Sequence, residues 1–178
     1  MKTQVWAHRG ASAYAPENTL EAFRLAAEMG ADGVELDVQL SRDGELVVAH
    51  DETIDRVSSG TGYIKDYTLA QLKKLSFNRL FPNFKDARIP TLKEVYELLK
   101  PAGLTVNVEL KTGIILYPEI EEKVLALTAS MGMEDRVIYS SFCHPSLVRL
   151  KELDSGLKTG LLYSDGWIGA ADYGRRTV

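Results

Sequence analysis

Short apolar runs alternate with longer amphipathic stretches along most of the chain. The order they predict is strand, helix, strand, helix, with brief Gly and Pro punctuation. Such an order builds a parallel α/β sheet. A first strand is expected over residues 4–8, followed by a helix entered near Asn18. Asn18 and Glu21 have capping-box spacing, and Leu20, Phe23 and Ala27 make one apolar stripe that ends at Gly30. Residues 33–40 form the second strand. Asp43-Gly44 then predicts a tight hairpin whose return arm covers residues 45–49.

Regular alternation is lost over residues 51–89, where Gly60, Gly62, Pro82 and Asn83 interrupt the pattern. Only residues 68–75 read as helix there, opened by Thr68 and Gln71. This segment is expected to stand beside the sheet as an insertion after the second strand. Order resumes at Thr91, which forms a second capping box with Glu94 and opens a helix that stops at Pro101 and Gly103. A strand over 104–111 follows, then a helix with Pro118 in its first turn and Ile120, Val124 and Leu127 on one face. A strand over 136–141, a helix over 145–153 and a strand over 157–163 complete the series, and residues 164–178 supply the next loop and helix. Trp167 in that loop is a candidate site aromatic, with a packing or surface role as the alternative.

Composition narrows the class. With 178 residues, 45% of them apolar and 26% charged, the chain is globular and of the size of one domain. Lys and Arg total 21 against 25 Asp and Glu, a net charge of −4. No general attraction to nucleic acid or anionic membranes follows, so an anionic ligand must be held by local charge. One cysteine excludes an internal disulfide framework and a cysteine-based zinc site. No apolar run approaches the about 18 residues of a membrane span, and the N-terminus has no apolar targeting segment. A cytoplasmic protein without a stable membrane anchor is expected.

The chemistry gathers on two strands. In Val34-Glu35-Leu36-Asp37-Val38 the period of two puts Glu35 and Asp37 on one face, and in residues 106–111 it puts Asn107, Glu109 and Lys111 together. A strand of a parallel sheet is ordinarily covered on both faces and apolar on both, so these carboxylates need a reason. Like charges about 5 Å apart repel by roughly 3 kcal/mol at an effective dielectric near 20. A hard divalent cation, Mg²⁺ or Ca²⁺, relieves that repulsion with oxygen ligands alone. The alternative is pairing with Arg or Lys on neighbouring strands.

His8 and His50 each end a predicted strand, where a parallel barrel places its active site, and imidazoles suit acid–base work near neutrality. Either can also be structural. His144, between Cys143 and Pro145, reads as a helix-entry residue. Arg9 and Lys111 can engage phosphate oxygens or simply neutralise the carboxylates. Asn18 is most simply a helix N-cap. Glu121, Glu122 and Lys123 read as a solvated helix face.

AHRG at 7–10, PENT at 16–19, VELDV at 34–38, VAHD at 48–51 and NVELK at 107–111 together resemble the glycerophosphodiester phosphodiesterase family. The resemblance runs from about residue 5 to the end of the sequence. It implies a (β/α)₈ barrel of the phospholipase C-like phosphodiesterase type, of which about the first five β/α units lie in residues 1–178, with residues 51–89 as a small capping subdomain. It implies an enzyme that uses one divalent cation to hydrolyse a small-molecule glycerophosphodiester to an alcohol and sn-glycerol 3-phosphate. By motif, Glu35, Asp37 and Glu109 match the metal ligands, His8 and His50 the acid/base pair, and Arg9 and Lys111 the phosphate contacts, with Asn18 close to the substrate. In the family the substrate's own 2-hydroxyl can be the nucleophile. A phosphodiesterase of the same fold acting on lysophospholipids, a metal-dependent barrel lyase and an inactive fragment are the competing readings.

Overall fold

The computed structural model describes residues 3–166 and 168–178. Trp167 lies outside the described residues. One six-stranded sheet organises the chain: β1 (Trp6–His8), β2 (Gly33–Leu40), β3 (Leu46–Val48), β4 (Thr105–Leu110), β5 (Val137–Ser141) and β6 (Thr159–Leu161). The parallel strands lie in the order β1-β2-β4-β5-β6, and β3 runs antiparallel to β2. Helices α1 (Leu20–Glu28), α3 (Leu92–Ala102), α4 (Ile120–Ser130) and α5 (His144–Leu153) connect successive parallel strands, and α6 (Ala170–Thr177) follows β6. Five consecutive parallel β/α units in sequential order are the arrangement of part of a (β/α)₈ barrel. The sheet is open, with β1 and β6 at its edges.

The two faces of β2 and β4 differ as the period of two predicts. Val34, Leu36, Val38, Val106, Val108 and Leu110 are buried under the helices, together with Phe23, Val95, Leu99, Val124 and Leu147. Each fully buried side chain of this kind contributes about 1.5–3 kcal/mol relative to exposure. The opposite face carries the polar residues, in a register that sets Glu35 against Asn107 and Asp37 against Glu109.

Strand β3 returns antiparallel through the Asp43-Gly44 turn, where Gly44 takes the positive φ of 78° that favours glycine. Its two faces serve two cores. Leu46 and Val48 join the main core, whereas Val47 and Ala49 pack with Ile54, Ile64, Leu72, Phe77 and Ile89 in a second cluster. That second cluster belongs to residues 51–89, which contribute a 3₁₀ turn (Ile64–Asp66) and α2 (Leu69–Leu72) but no strand of the sheet.

Several local expectations need correction. The cap of α1 is Thr19, not Asn18: Thr19 has extended backbone and its Oγ1 accepts from the Ala22 N–H at 3.3 Å. Asn18 is left-handed, at φ 56°, and its side chain is turned elsewhere. Pro118 precedes the cap of α4, because Glu119 in the left-handed region is the N-cap. Helix α3 runs through Pro101 to Ala102 and ends on left-handed Gly103. Helix α2 has the expected Thr68–Gln71 capping box but makes only one turn. Lys123 is no part of a solvated face, since its Nζ donates to the Gly44 carbonyl at 2.8 Å and ties α4 to the hairpin turn.

Candidate functional site

The polar face of β2 and β4 is the floor of the site. Among the described residues, Glu35, Asp37 and Glu109 form a group placed to hold a metal ion, each offering an oxygen within 4.8 Å of the others. The parallel pairing of β2 with β4 makes this group, because Asp37 and Glu109 are register partners and Glu35 lies one step along the same face. Burial, then the charge of Asp37, pushes the Glu35 carboxyl up to about 8. Burial and Asp37 likewise raise Glu109, against the opposing pull of Lys111.

Cations line the same floor. Lys111 Nζ is 2.9 Å from Glu109 Oε1 and 3.8 Å from Asp37 Oδ1. Arg9 follows β1 with φ 58°. Its N–H donates to Glu35 Oε2 at 3.1 Å, its Nε lies 3.6 Å from Asp37 Oδ2, and its Nη1 donates to Glu17 at 3.1 Å. The bend that allows this needs Gly10, at φ 77°, where an added Cβ would lie 2.7–2.9 Å from Ala22. Asn18 donates its Nδ2 to Asp37 Oδ2 at 2.8 Å, so its left-handed backbone serves the carboxylate group.

This neutralisation leaves oxygen atoms over. Buried Asp37 Oδ1, Asn18 Oδ1 and Asn107 Oδ1 have no hydrogen-bond partner. Three carboxylates, one with an oxygen that accepts no hydrogen bond, form a hard donor set of the kind that suits Mg²⁺ or Ca²⁺. The residues present therefore fit one divalent cation.

The two histidines flank this floor differently. His8 ends β1 opposite Glu35 in the register, with its side chain 69% exposed and Nε2 3.7 Å from Glu35 Oε2. His50 follows β3, one residue beyond Ala49, whose N–H donates to the Asp37 carbonyl at 3.0 Å. Its Nδ1 lies 2.6 Å from Asp51 Oδ1, so this contact engages Nδ1 rather than Nε2. His144 begins α5, with ring nitrogens 3.0 Å from the Tyr173 hydroxyl and 2.9 Å from the Leu162 carbonyl.

Three residues of the surround were not singled out from sequence. Arg56 reaches out of the 51–89 segment and donates to Glu17 at 2.7 and 2.8 Å and to Asp51 at 2.7 Å. Burial would raise the Asp51 carboxyl, but Arg56 and then His50 outweigh it and hold it at about 2. Glu17 is likewise held below the usual carboxylate range by Arg56 and Arg9, against burial. Glu17 and Asp51 each belong to a motif, PENT and VAHD, and their charge was the available signal; nothing in the sequence marks Arg56.

The profile of the Glycerophosphoryl diester phosphodiesterase family matches residues 8–173. A glycerophosphodiester phosphodiesterase of Caldanaerobacter subterraneus subsp. tengcongensis is 53% identical over 169 residues, covering 94% of this chain and 70% of that protein. Among solved structures, a glycerophosphodiester phosphodiesterase from Agrobacterium tumefaciens is similar with a TM-score of 0.81 at 36% identity, over 89% of this chain and 66% of that one. An Oleispira antarctica phosphodiesterase in complex with the product sn-glycerol-3-phosphate is similar with a TM-score of 0.85 at 32% identity, over 98% of this chain and 72% of that one. The chain thus spans about two thirds of the length of these proteins.

Proposed function

The chain belongs to the glycerophosphoryl diester phosphodiesterase family, and on that premise we propose that it hydrolyses glycerophosphodiesters to an alcohol and sn-glycerol 3-phosphate. Glu35, Asp37 and Glu109 hold one divalent cation, Mg²⁺ or Ca²⁺, and His8 and His50 are the general acid and base. The observation that carries this reading is the meeting of three carboxylates within 4.8 Å of one another, with His8 Nε2 3.7 Å from Glu35 and His50 near enough for its charge to act on Glu109. The Oleispira relative's bound product supports a small phosphate-bearing substrate.

In this reading the cation supplies Lewis-acid stabilisation of the phosphoryl oxygens and lowers the pKa of a hydroxyl near it. Arg9 and Lys111 meet the remaining phosphate charge with a planar guanidinium and a point-charge ammonium. Asn18 fixes Asp37 and lies beside the substrate. One histidine takes the proton of the attacking hydroxyl and the other delivers a proton to the departing alcohol oxygen; when the substrate's own 2-hydroxyl attacks, the product is a cyclic phosphate, which one water then opens, so that hydrolysis consumes one water overall. Asp51 holds the Nδ1 side of His50 and keeps Nε2 turned to the reaction. Residues 51–89 act as a small cap over the site, a role supported by their own core and by the reach of Arg56 to Glu17. None of the described helices is long and apolar enough to cross a membrane. A cytoplasmic setting is part of the proposal.

The test is release of choline from glycerophosphocholine, with and without chelator, beside a panel of other glycerophosphodiesters and lysophospholipids. Activity lost to chelator and restored by Mg²⁺ or Ca²⁺ is expected. His50→Ala should lower turnover by about 10²- to 10⁴-fold while leaving substrate binding largely intact. Parent-like turnover by His50→Ala would show the assignment to be wrong.

A further inference from the structure

Gln39 continues the carboxylate face of β2 by one further step, yet it touches no ligand of the proposed cation. It is fully buried. Its Nε2 lies 2.9, 3.2 and 2.7 Å from the consecutive carbonyl oxygens of Ala49, His50 and Asp51, and donates to all three. Its Oε1 accepts from the Tyr117 hydroxyl at 2.8 Å. We propose that Gln39 and Tyr117 are positioning residues for His50, acting through its backbone.

Three successive carbonyls converging on one point repel unless a donor sits among them, and a primary amide has two N–H groups to share between them. The turn at 49–51 therefore depends on which way the Gln39 amide faces. The three carbonyls set that, and the Tyr117 hydroxyl, donating to Oε1, anchors the far side of the amide. Reversing the amide would place its oxygen against three oxygens. The phenol stays protonated throughout the working range, because burial, then the negative charges of Glu52 and Asp66, push it well above its usual value.

The consequence for His50 is geometric. Its backbone is held by Gln39 and its ring by Asp51. Tyr117 belongs to the loop between β4 and α4, the same loop that Lys111 opens, and lies 78 residues from Gln39 in sequence. The clamp thereby sets the phosphate-contacting side of the site in register with its acid/base side. Displacing a reacting group by about 1 Å can cost about 10²-fold in rate.

This inference rests on the proposed acid/base role of His50, and the test separates the two. Tyr117→Phe removes one hydroxyl, and the ring nitrogens of the three histidines are followed by ¹H–¹⁵N correlation in the ¹⁵N-labelled full chain. The expected result is that the His50 ring signals move while those of His8 and His144 stay, and that kcat falls about tenfold with KM within about twofold of the parent. Gln39→Met should lower kcat further, and Tyr117→Phe should add nothing in that background. Unmoved His50 signals with parent kcat would overturn the inference, as would a full Tyr117→Phe effect in the Gln39→Met background. A loss of thermal stability with parent kcat per folded molecule would also overturn it, as a structural role only. Should Gln39→Met fail to fold, Tyr117→Phe decides alone. Should His50→Ala prove fully active, the acid/base reading falls, whereas the His50 ring signals in Tyr117→Phe still report whether the clamp holds that turn.

Discussion

Asp37 and Glu109 are direct partners across the β2–β4 ladder, so two carboxylates from neighbouring parallel strands share one face, with Lys111 2.9 Å from Glu109 and 3.8 Å from Asp37. Lys111 and Arg9 bring two positive charges to the three acids gathered there. A divalent cation that binds the folded chain alone should stabilise it by about 2.7 kcal/mol at a hundred times its dissociation constant. For a domain of this size that is a rise of about 5–10 °C in thermal midpoint. Calorimetric scans with chelator and with Mg²⁺ or Ca²⁺ measure it, and Asp37→Asn should abolish the difference.

Proton uptake offers a second check. Burial and Asp37 raise Glu35 from an ordinary 4.5 to about 8, so without divalent cation the folded chain binds a proton there that the unfolded chain has released. Stability from this group is full below the unfolded value and is lost as pH rises through the folded one. The thermal midpoint in chelator should therefore fall between about pH 5 and pH 8. Glu109, raised for the same reasons, adds to the fall. Saturating cation should flatten the profile, and a midpoint that rises over this range in chelator would contradict the burial argument.

Asn18 and Thr19 are neighbours with separable duties. Thr19→Ala removes a helix cap, at a cost of about 1 kcal/mol in stability. It should leave cation affinity unchanged. Asn18→Ala removes the hydrogen bond to Asp37 and should weaken cation binding by about 10- to 100-fold, as loss of an outer partner of a ligand does. Isothermal titration with Ca²⁺ and chemical denaturation of the two variants distinguish these effects.

Arg56 links two parts of the site that are otherwise distant in sequence, since Glu17 and Asp51 are both bound to its guanidinium. Arg56→Met keeps the length of the side chain and breaks both links. Asp51 is then held by His50 alone, and kcat should drop about tenfold through looser orientation of that imidazole. Arg56→Lys should recover little, because an ammonium cannot bridge two carboxylates in the plane of a guanidinium. Steady-state kinetics on glycerophosphocholine give the comparison.

What the sequence disclosed was governed by short-range chemistry. Strand β2 and the Asp43-Gly44 turn follow from a period of two and from a residue pair that accepts the turn's dihedral angles. The Thr91–Glu94 box opens α3 as its spacing predicts. The carboxylate face was legible because alternation alone puts Glu35 with Asp37 and Asn107 with Glu109; their meeting required only that β2 and β4 be neighbours. Alternation also puts Gln39 on that face, so its position, though not its partners, follows from the sequence.

Other features had no local signature. Arg56 finds Glu17 across 39 positions and Tyr117 finds Gln39 across 78, distances over which neither periodicity nor capping carries information. Choosing Asn18 over Thr19 as the cap failed for a different reason. Both are good caps by type, and the choice was made by a tertiary partner, Asp37, that draws Asn18 away.

The hairpin that carries His50 back toward Asp37 imposes a parity rule on mutation. Strand β3 divides its side chains between two cores, Leu46 and Val48 on one side and Val47 and Ala49 on the other. Adding or deleting one residue in the turn over 41–45 would slip the pairing and exchange those faces, setting Val47 and Ala49 toward the main core. Changes of length beyond residue 51 meet no such arithmetic. The length of the turn over 41–45 is thus set by the two cores that β3 divides rather than by the turn's own chemistry.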